Sequence, residues 1–230
     1  MPNHLEDGAA ILVDKPSGWT SFDVVNKLRW ELKRKTGIKR YKVGHAGTLD
    51  PLATGLLIIC IGKYTKLADQ YQAQDKTYEG VIRLFRTTPT YDAEQEPDCY
   101  YPYQRLTKQQ LNEAAGSLTG MISQLPPMYS AIKKNGVPLY RHARRGKEVA
   151  REPRRVNISS FTLSTMDLPD VHFEVGCSKG TYIRSLAYDY GRVLQTGAYL
   201  HRLRRTFIGR YSVEQAYDIT SIIDQIEALD

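Results

Sequence analysis

The chain has 230 residues, 41% hydrophobic and 25% charged, a globular composition that supports a packed core and excludes wholesale disorder. The longest apolar run, residues 56–61, is far short of the about 18 residues a membrane span needs, and the N-terminus carries acids where a secretory signal carries a basic patch, so no membrane partner and a cytoplasmic location are expected. Three cysteines without a CxxC spacing and five histidines without an HExxH spacing exclude a disulfide framework and leave a metal site without support.

In chain order, Ala10-Ile-Leu-Val-Asp14 reads as a short buried strand. Thr20 with Asp23 three residues on resembles a capping box. Val24, Val25, Leu28 and Leu32 then follow at helical spacing, and Gly37 is a stop. Residues 56–61 read as a central strand, 64–73 as a short helix and 77–85 as a strand. Residues 107–118 form a helix with Leu111, Ala114, Ala115 and Leu118 on one face. Val171, Phe173, Val175 and Cys177 alternate with polar residues as in a half-buried strand. Ile183, Leu186, Ala187, Tyr190 and Leu194 make the inner stripe of the next helix, and residues 220–229 an amphipathic one. With no internal repeat and no βαβ period, the expected class is α+β with a mixed, largely antiparallel central sheet flanked by helices and loops. We expect a tail over residues 1–9, one domain over residues 10–230 and an inserted arm at about 126–155, rich in Pro, Gly and Arg.

The net charge of +7 is unevenly spread. Residues 27–42 hold eight Lys or Arg against Glu31 alone, residues 133–155 hold nine against two acids, and Arg202, Arg204, Arg205 and Arg210 form a third cluster. Acids gather at residues 92–98 and in the tail from Glu214. Such segregation is the footprint of a polyanion-binding face, although each run alone also suits a solvated surface. Tyrosine, 16 residues in all, is interleaved with these runs and stacks well on unpaired bases, which favours RNA loops over duplex grooves.

Phosphate-loop, dinucleotide and serine-hydrolase motifs are missing from the sequence. Two other units stand out. In Val43-Gly-His-Ala-Gly-Thr-Leu-Asp-Pro-Leu-Ala-Thr-Gly55, glycines permit close approach, and Pro51 holds Asp50 in an extended or turn conformation at the edge of a strand. A carboxylate and the His45 imidazole could thus enter a cleft; an ordinary Asp-Pro turn explains the same composition. In Gly176-Cys-Ser-Lys-Gly-Thr-Tyr-Ile-Arg-Ser-Leu-Ala187, Arg184 at a helix start could pair with a carboxylate or lie exposed on an amphipathic face.

At these motifs the chain resembles the TruB family of tRNA pseudouridine synthases. The resemblance is carried by Lys15-Pro-Ser-Gly-Trp-Thr-Ser21, Gly44-His-Ala-Gly-Thr-Leu-Asp-Pro-Leu-Ala-Thr-Gly55, Lys76-Thr-Tyr78, Pro126-Pro-Met-Tyr-Ser-Ala-Ile-Lys133, Ser178-Lys-Gly-Thr-Tyr-Ile-Arg184 and Leu203-Arg-Arg205, in the family's order. It implies the pseudouridine synthase fold and isomerisation of uridine 55 in the T loop of tRNA: the base flips, the C1′–N1 bond breaks and C1′ rejoins at C5. It further implies Asp50 as the catalytic carboxylate, Tyr78 stacked on the flipped uracil, Arg184 paired with Asp50, and Tyr182 and Leu203 lining the base pocket. His45 would fill the place of the extruded base. Lys15, Lys133, Arg141, Arg144 and Arg145 would contact phosphates. No cofactor, no metal and no guide RNA are implied; the tRNA T stem-loop is the expected partner of a monomer. Many family members continue into a C-terminal RNA-binding domain of the PUA kind, and a short form without it is expected here. A non-catalytic RNA-binding protein is the rival reading on charge alone.

Overall fold

A computed structural model describes residues 8–38 and 40–228. Residues 1–7 of the expected tail, Lys39 of the first basic run and Leu229 of the last helix lie outside the described residues. The chain divides into two compact units, Met1–Tyr78 with Leu203–Asp230, and Glu79–Arg202.

The first unit begins with β1 (Ala9–Lys15), α1 (Ser21–Thr36), β2 (Val43–His45) and β3 (Thr54–Ile61). A 3-10 turn (Gly62–Leu67) leads into α2 (Ala68–Ala73) and β4 (Lys76–Leu84), which runs on into the second unit. There follow β5 (Arg86–Thr87), β6 (Cys99–Tyr100), α3 (Lys108–Ser117), β7 (Gly120–Gln124), β8 (Lys133–Lys134), β9 (Val137–Pro138) and α4 (Leu139–Ala143). The second unit continues through β10 (Arg154–Asp167), β11 (Asp170–Cys177) and α5 (Ile183–Val193) into β12 (Ala198–Ile208). β12 returns the chain to the first unit, which ends in β13 (Tyr211–Ser212), a 3-10 turn and α6 (Ile219–Glu227).

β3 is the axis of the first unit. β1 pairs with it antiparallel from Ala9↔Ile61 to Lys15↔Gly55, β2 antiparallel from Val43↔Ile61 to His45↔Ile59, and β12 parallel at Arg204↔Thr54 and Arg205↔Gly55. Leu57, Ile59 and Ile61 pack with Val24, Val25, Leu28 and Leu32 of α1 and Ile222 and Ile226 of α6. Leu56, Ile58 and Cys60 pack on the opposite side with Ala46, Ile208 and Val213. Cover on both faces is why this strand reads as a continuous apolar run. α1 starts on the expected capping box of Thr20 and Asp23 and ends at Gly37, whose φ of 71° suits glycine.

In the second unit β7, β10 and β11 are antiparallel neighbours, with β4 beyond β11. Phe161 meets Phe173 and Tyr190 at ring-centroid distances of 5.8 and 5.6 Å, and the Tyr190 hydroxyl donates to the Leu111 carbonyl at 3.1 Å. The expected stripe of α5 (Ile183, Leu186, Ala187, Tyr190, Leu194) is buried.

The class is therefore the expected one, α+β with a mixed, mainly antiparallel sheet. Some elements differ. The helix expected over residues 64–73 is a 3-10 turn followed by only six α-helical residues, with no buried side chain to anchor a longer helix and Thr65 Oγ1 donating to the Gly62 carbonyl at 2.7 Å. The 14-residue β10 went unread because its register shifts near Ile158 and Leu163 break the alternation. β12 went unread because its arginines mask its period.

Candidate active site

In the first unit the Asp50 loop joins β2 to β3 and is clamped from two directions. From the N-terminus of α1, Ser21 Oγ donates to the Leu49 carbonyl (3.1 Å) and accepts from the Leu49 amide (2.8 Å). The Gly18 amide and Lys15 Nζ both donate to the Pro51 carbonyl, at 2.9 and 3.1 Å, and Ser17 Oγ to the Leu52 carbonyl at 3.2 Å. From β12, Arg205 spreads its guanidinium over three carbonyls: Nε to Leu56 (2.8 Å), Nη2 to Gly47 (3.0 Å) and Nη1 to Thr48 (3.4 Å). Within the loop the Ala53 amide donates to the Asp50 carbonyl at 3.1 Å, closing a β-turn that starts at Asp50 with Pro51 and Leu52 as its central residues. The half-buried Asp50 is thus carried on a backbone held by hydrogen bonds from Lys15, Ser17, Gly18, Ser21 and Arg205. A carboxylate so held changes conformation little on meeting a substrate.

Gly55 closes this construction. Its φ is +104°, and a Cβ there would lie 2.3 Å from the Arg205 carbonyl oxygen. Only glycine lets β3 and β12 approach at the loop's edge.

Lys15 departs from its expected role as a phosphate contact. Its side chain is fully buried, and Nζ donates to the Trp19, Pro16 and Pro51 carbonyls at 2.6, 2.8 and 3.1 Å. Burial pushes its pKa down to about 8; the nearby Asp50 carboxylate opposes this shift and the Arg205 charge adds to it. Between about pH 8 and the usual lysine value near 10.4, the unfolded chain therefore holds a proton the folded one has released, so this group's contribution to stability rises with pH across that window. Unfolding free energies of wild type and Lys15→Met, compared from pH 7.5 to 10.5, are expected to shift progressively in favour of wild type. A constant difference would show that Lys15 titrates normally. The third basic cluster is corrected in the same way. Arg205 is buried as described, and Arg204 pairs bidentately with Asp14 at 3.0 and 2.7 Å; Arg202 and Arg210 stay exposed.

Tyr78 is buried with the Arg205 guanidinium carbon 6.0 Å from its ring centroid, so one arginine touches both the Asp50 loop and this tyrosine. Leu203 is half-buried, and its carbonyl accepts from Thr54 Oγ1 at 3.5 Å. His45 ends β2 half-buried; its Nδ1 is enclosed and has no hydrogen-bond partner among the described residues. Burial and the Arg205 charge lower its pKa below the ordinary histidine value, favouring the neutral, flat ring at neutral pH.

In the second unit Arg184 is buried rather than exposed on its helix. Nη1 donates to the Thr90 carbonyl at 3.1 Å and Nη2 to the Tyr129 carbonyl at 2.9 Å, and Nε lies 3.5 Å from Asp92 Oδ2. Tyr182, at the start of α5, exchanges two hydrogen bonds with the Gln124 amide: its N–H donates to Oε1 at 2.8 Å and its carbonyl accepts from Nε2 at 3.1 Å. Asp92 and Gln124 are functional candidates that the sequence reading missed; Asp92 stands there only as one of the acids gathered at residues 92–98, yet it is buried beside Arg184. Asp92→Asn is expected to cost about 3 kcal/mol in denaturant unfolding, because the buried arginine loses a counter-charge. A change under about 0.5 kcal/mol would mean that the pair is unimportant for stability.

In the arm, Asn135 and Gly136 turn the β8–β9 hairpin with φ of 52° and 80°. Lys133, Arg141, Arg144 and Arg145 are exposed along it. Arg151 instead fastens the arm's base, donating to the Pro126 carbonyl at 3.0 Å. Among the described residues no group of three or more His, Cys, Asp or Glu could hold a metal ion, and no helix is long and apolar enough to cross a membrane.

This fold is that of a pseudouridine synthase. It superposes with a TM-score of 0.70 and 26% identity on the crystal structure of a Cbf5-Nop10-Gar1 complex, over 97% of this chain and 56% of that one. A second match, an H/ACA ribonucleoprotein bound to a substrate RNA containing 2′-deoxyuridine, has a TM-score of 0.68 at 25% identity over 96% of this chain and 54% of that one. Residues 33–183 match the family described as TruB family pseudouridylate synthase (N terminal domain). The tRNA pseudouridine synthase B of Flavobacterium johnsoniae is 47% identical over 227 residues, 98% of this chain and 99% of the relative. The protein of the same name from Chlorobaculum tepidum is 46% identical over 222 residues, 96% and 92% of the two chains. The chain belongs to the TruB family, whose members are isomerases.

Proposed function

We propose that this chain converts uridine 55 in the T loop of tRNA to pseudouridine, with Asp50 as the catalytic carboxylate. The observation that carries the reading is the doubly clamped Asp50 loop in a chain 47% identical to a relative named tRNA pseudouridine synthase B. The reaction is an isomerisation: the C1′–N1 bond breaks, the uracil turns, C1′ bonds to C5, the C5 proton leaves and N1 gains one. Because the base is never released, one carboxylate suffices where a glycosidase needs two. Asp50 acts at the sugar, at C1′ as nucleophile or at C2′ as base, and Arg184 is assigned as its partner. Tyr78 stacks on the flipped uracil, and Tyr182 and Leu203 line the base pocket. Unstacking costs a few kcal/mol, which the neutral ring of His45 offsets by taking the base's place. Lys133, Arg141, Arg144 and Arg145 meet phosphates. Residues 10–230 work as one catalytic domain with the arm at about 126–155, as a monomer in the cytoplasm and without a guide RNA.

The test is tritium release from a tRNA transcript labelled at uracil C5. One equivalent per tRNA, lost when the T-loop uridine is replaced, is the expected result. Tight binding without release would leave a non-catalytic RNA-binding protein.

A further inference from the structure

The outer face of α1 is used by none of the chemistry above, yet it is unlike an ordinary solvated helix. Phe22 and Trp30 are 58% and 56% exposed on it. With Asn26, Arg29 and Lys33 they fall within about a third of the helix circumference at 100° per residue. Trp30 carries two cations over its ring, Lys27 Nζ at 5.3 Å and Arg34 Cζ at 5.4 Å from the centroid, and Arg29 lies over Phe22 at 6.0 Å. The only acid between residues 27 and 42, Glu31, is buried and already engaged by Lys27 at 2.8 Å and Arg34 at 3.0 Å. Lys33, Arg40 and Lys42 are exposed and have no carboxylate partner among the described residues. Exposed aromatic rings flanked by an excess of cations, although Arg34 is also paired with Glu227 of α6, fit a polyanion whose bases can stack, which is single-stranded RNA rather than an acidic protein surface.

The position of the face narrows the RNA. Ser21, at the N-terminus of α1, is bonded both ways to Leu49 of the catalytic loop, and Arg29 donates to the Val43 carbonyl, two residues before His45, at 2.8 Å. The face is thus continuous with the strand that bears His45. At about 1.5 Å per residue, Trp30 stands about 14 Å and Lys33 about 18 Å along the axis from Ser21. An RNA with its T loop at Asp50 reaches this stretch with other parts of the molecule, and a stacking base there must be unpaired, which the paired T stem does not supply.

We propose that the outer face of α1 is a second RNA-binding surface that takes unpaired nucleotides of the substrate tRNA lying outside the T stem-loop, with Trp30 as the stacking platform and Lys33 and Arg40 as phosphate contacts. The inference rests on tRNA being the substrate. Affinities of wild type, Trp30→Ala and Lys33→Glu/Arg40→Glu for a full tRNA transcript and for the isolated T stem-loop test it, with tritium release measured in parallel. Both variants are expected to bind the full tRNA about tenfold more weakly, with stem-loop affinity and kcat unchanged. The double variant should also lower the slope of log affinity against log salt by about two, one for each lost phosphate contact. Equal weakening for both RNAs would place the face in T stem-loop binding and overturn the proposal. Unchanged affinity for both would overturn it in favour of another partner, such as an acidic protein. Failure of wild type to release tritium from tRNA that it binds would count against the proposed reaction, while the binding comparison would still decide the role of α1.

Discussion

Replacing Asp50 by Asn is expected to abolish pseudouridine formation, by about 10⁴-fold or more in kcat, while tRNA affinity stays within about threefold of wild type. The scale follows from removing the one group proposed to act at the sugar. The fold should survive, because the loop is held through backbone carbonyls and amides and Asn keeps the side-chain volume. Single-turnover tritium release and filter binding on the same preparation measure both quantities. Activity within tenfold of wild type would remove Asp50 from the chemistry. Loss of the folded state would make it a structural turn residue instead.

The second large effect is expected at Arg205. Truncation to Ala leaves three carbonyls without their donor, the buried one of Leu56 and the partly buried ones of Gly47 and Thr48, and also removes the cation beside Tyr78. An unsatisfied buried acceptor costs about 1–3 kcal/mol, and partial relaxation of the loop brings the sum to about 3–5 kcal/mol. For a chain of this size that lowers the melting temperature by about 10 °C. Arg205→Lys should recover little, since one ammonium on a flexible stem does not reproduce the planar fork that reaches three acceptors. Activity should fall in both variants even at temperatures where they stay folded, because the Asp50 loop loses one of its two clamps. A melting temperature within about 2 °C of wild type would show that the loop is held by the Lys15 and Ser21 side alone.

The Asp50 loop was legible because its requirements are local: glycines at close approaches and a proline after the aspartate lie within thirteen consecutive residues, and the apolar strand that carries them follows directly. The helices with apolar stripes, α1, α3 and α5, and the capping box of α1 were legible for the same reason. What the reading missed comes from far along the chain. Arg205 reaches Leu56 across 149 positions, Arg184 reaches Thr90 across 94, and Gln124 meets Tyr182 across 58. Neither period nor composition encodes such pairings, so Asp92 read only as one of a run of acids and Lys15 as a phosphate contact.

By itself the sequence determined the α+β class, the amphipathic helices, the buried central strand and the motif that displays Asp50, since each follows from local sterics and apolar periodicity. Only the tertiary structure decided which cations face solvent and which are internal struts. Lys15 and Lys33 are the same side chain in the sequence; long-range packing desolvates the first among three carbonyls and leaves the second in water.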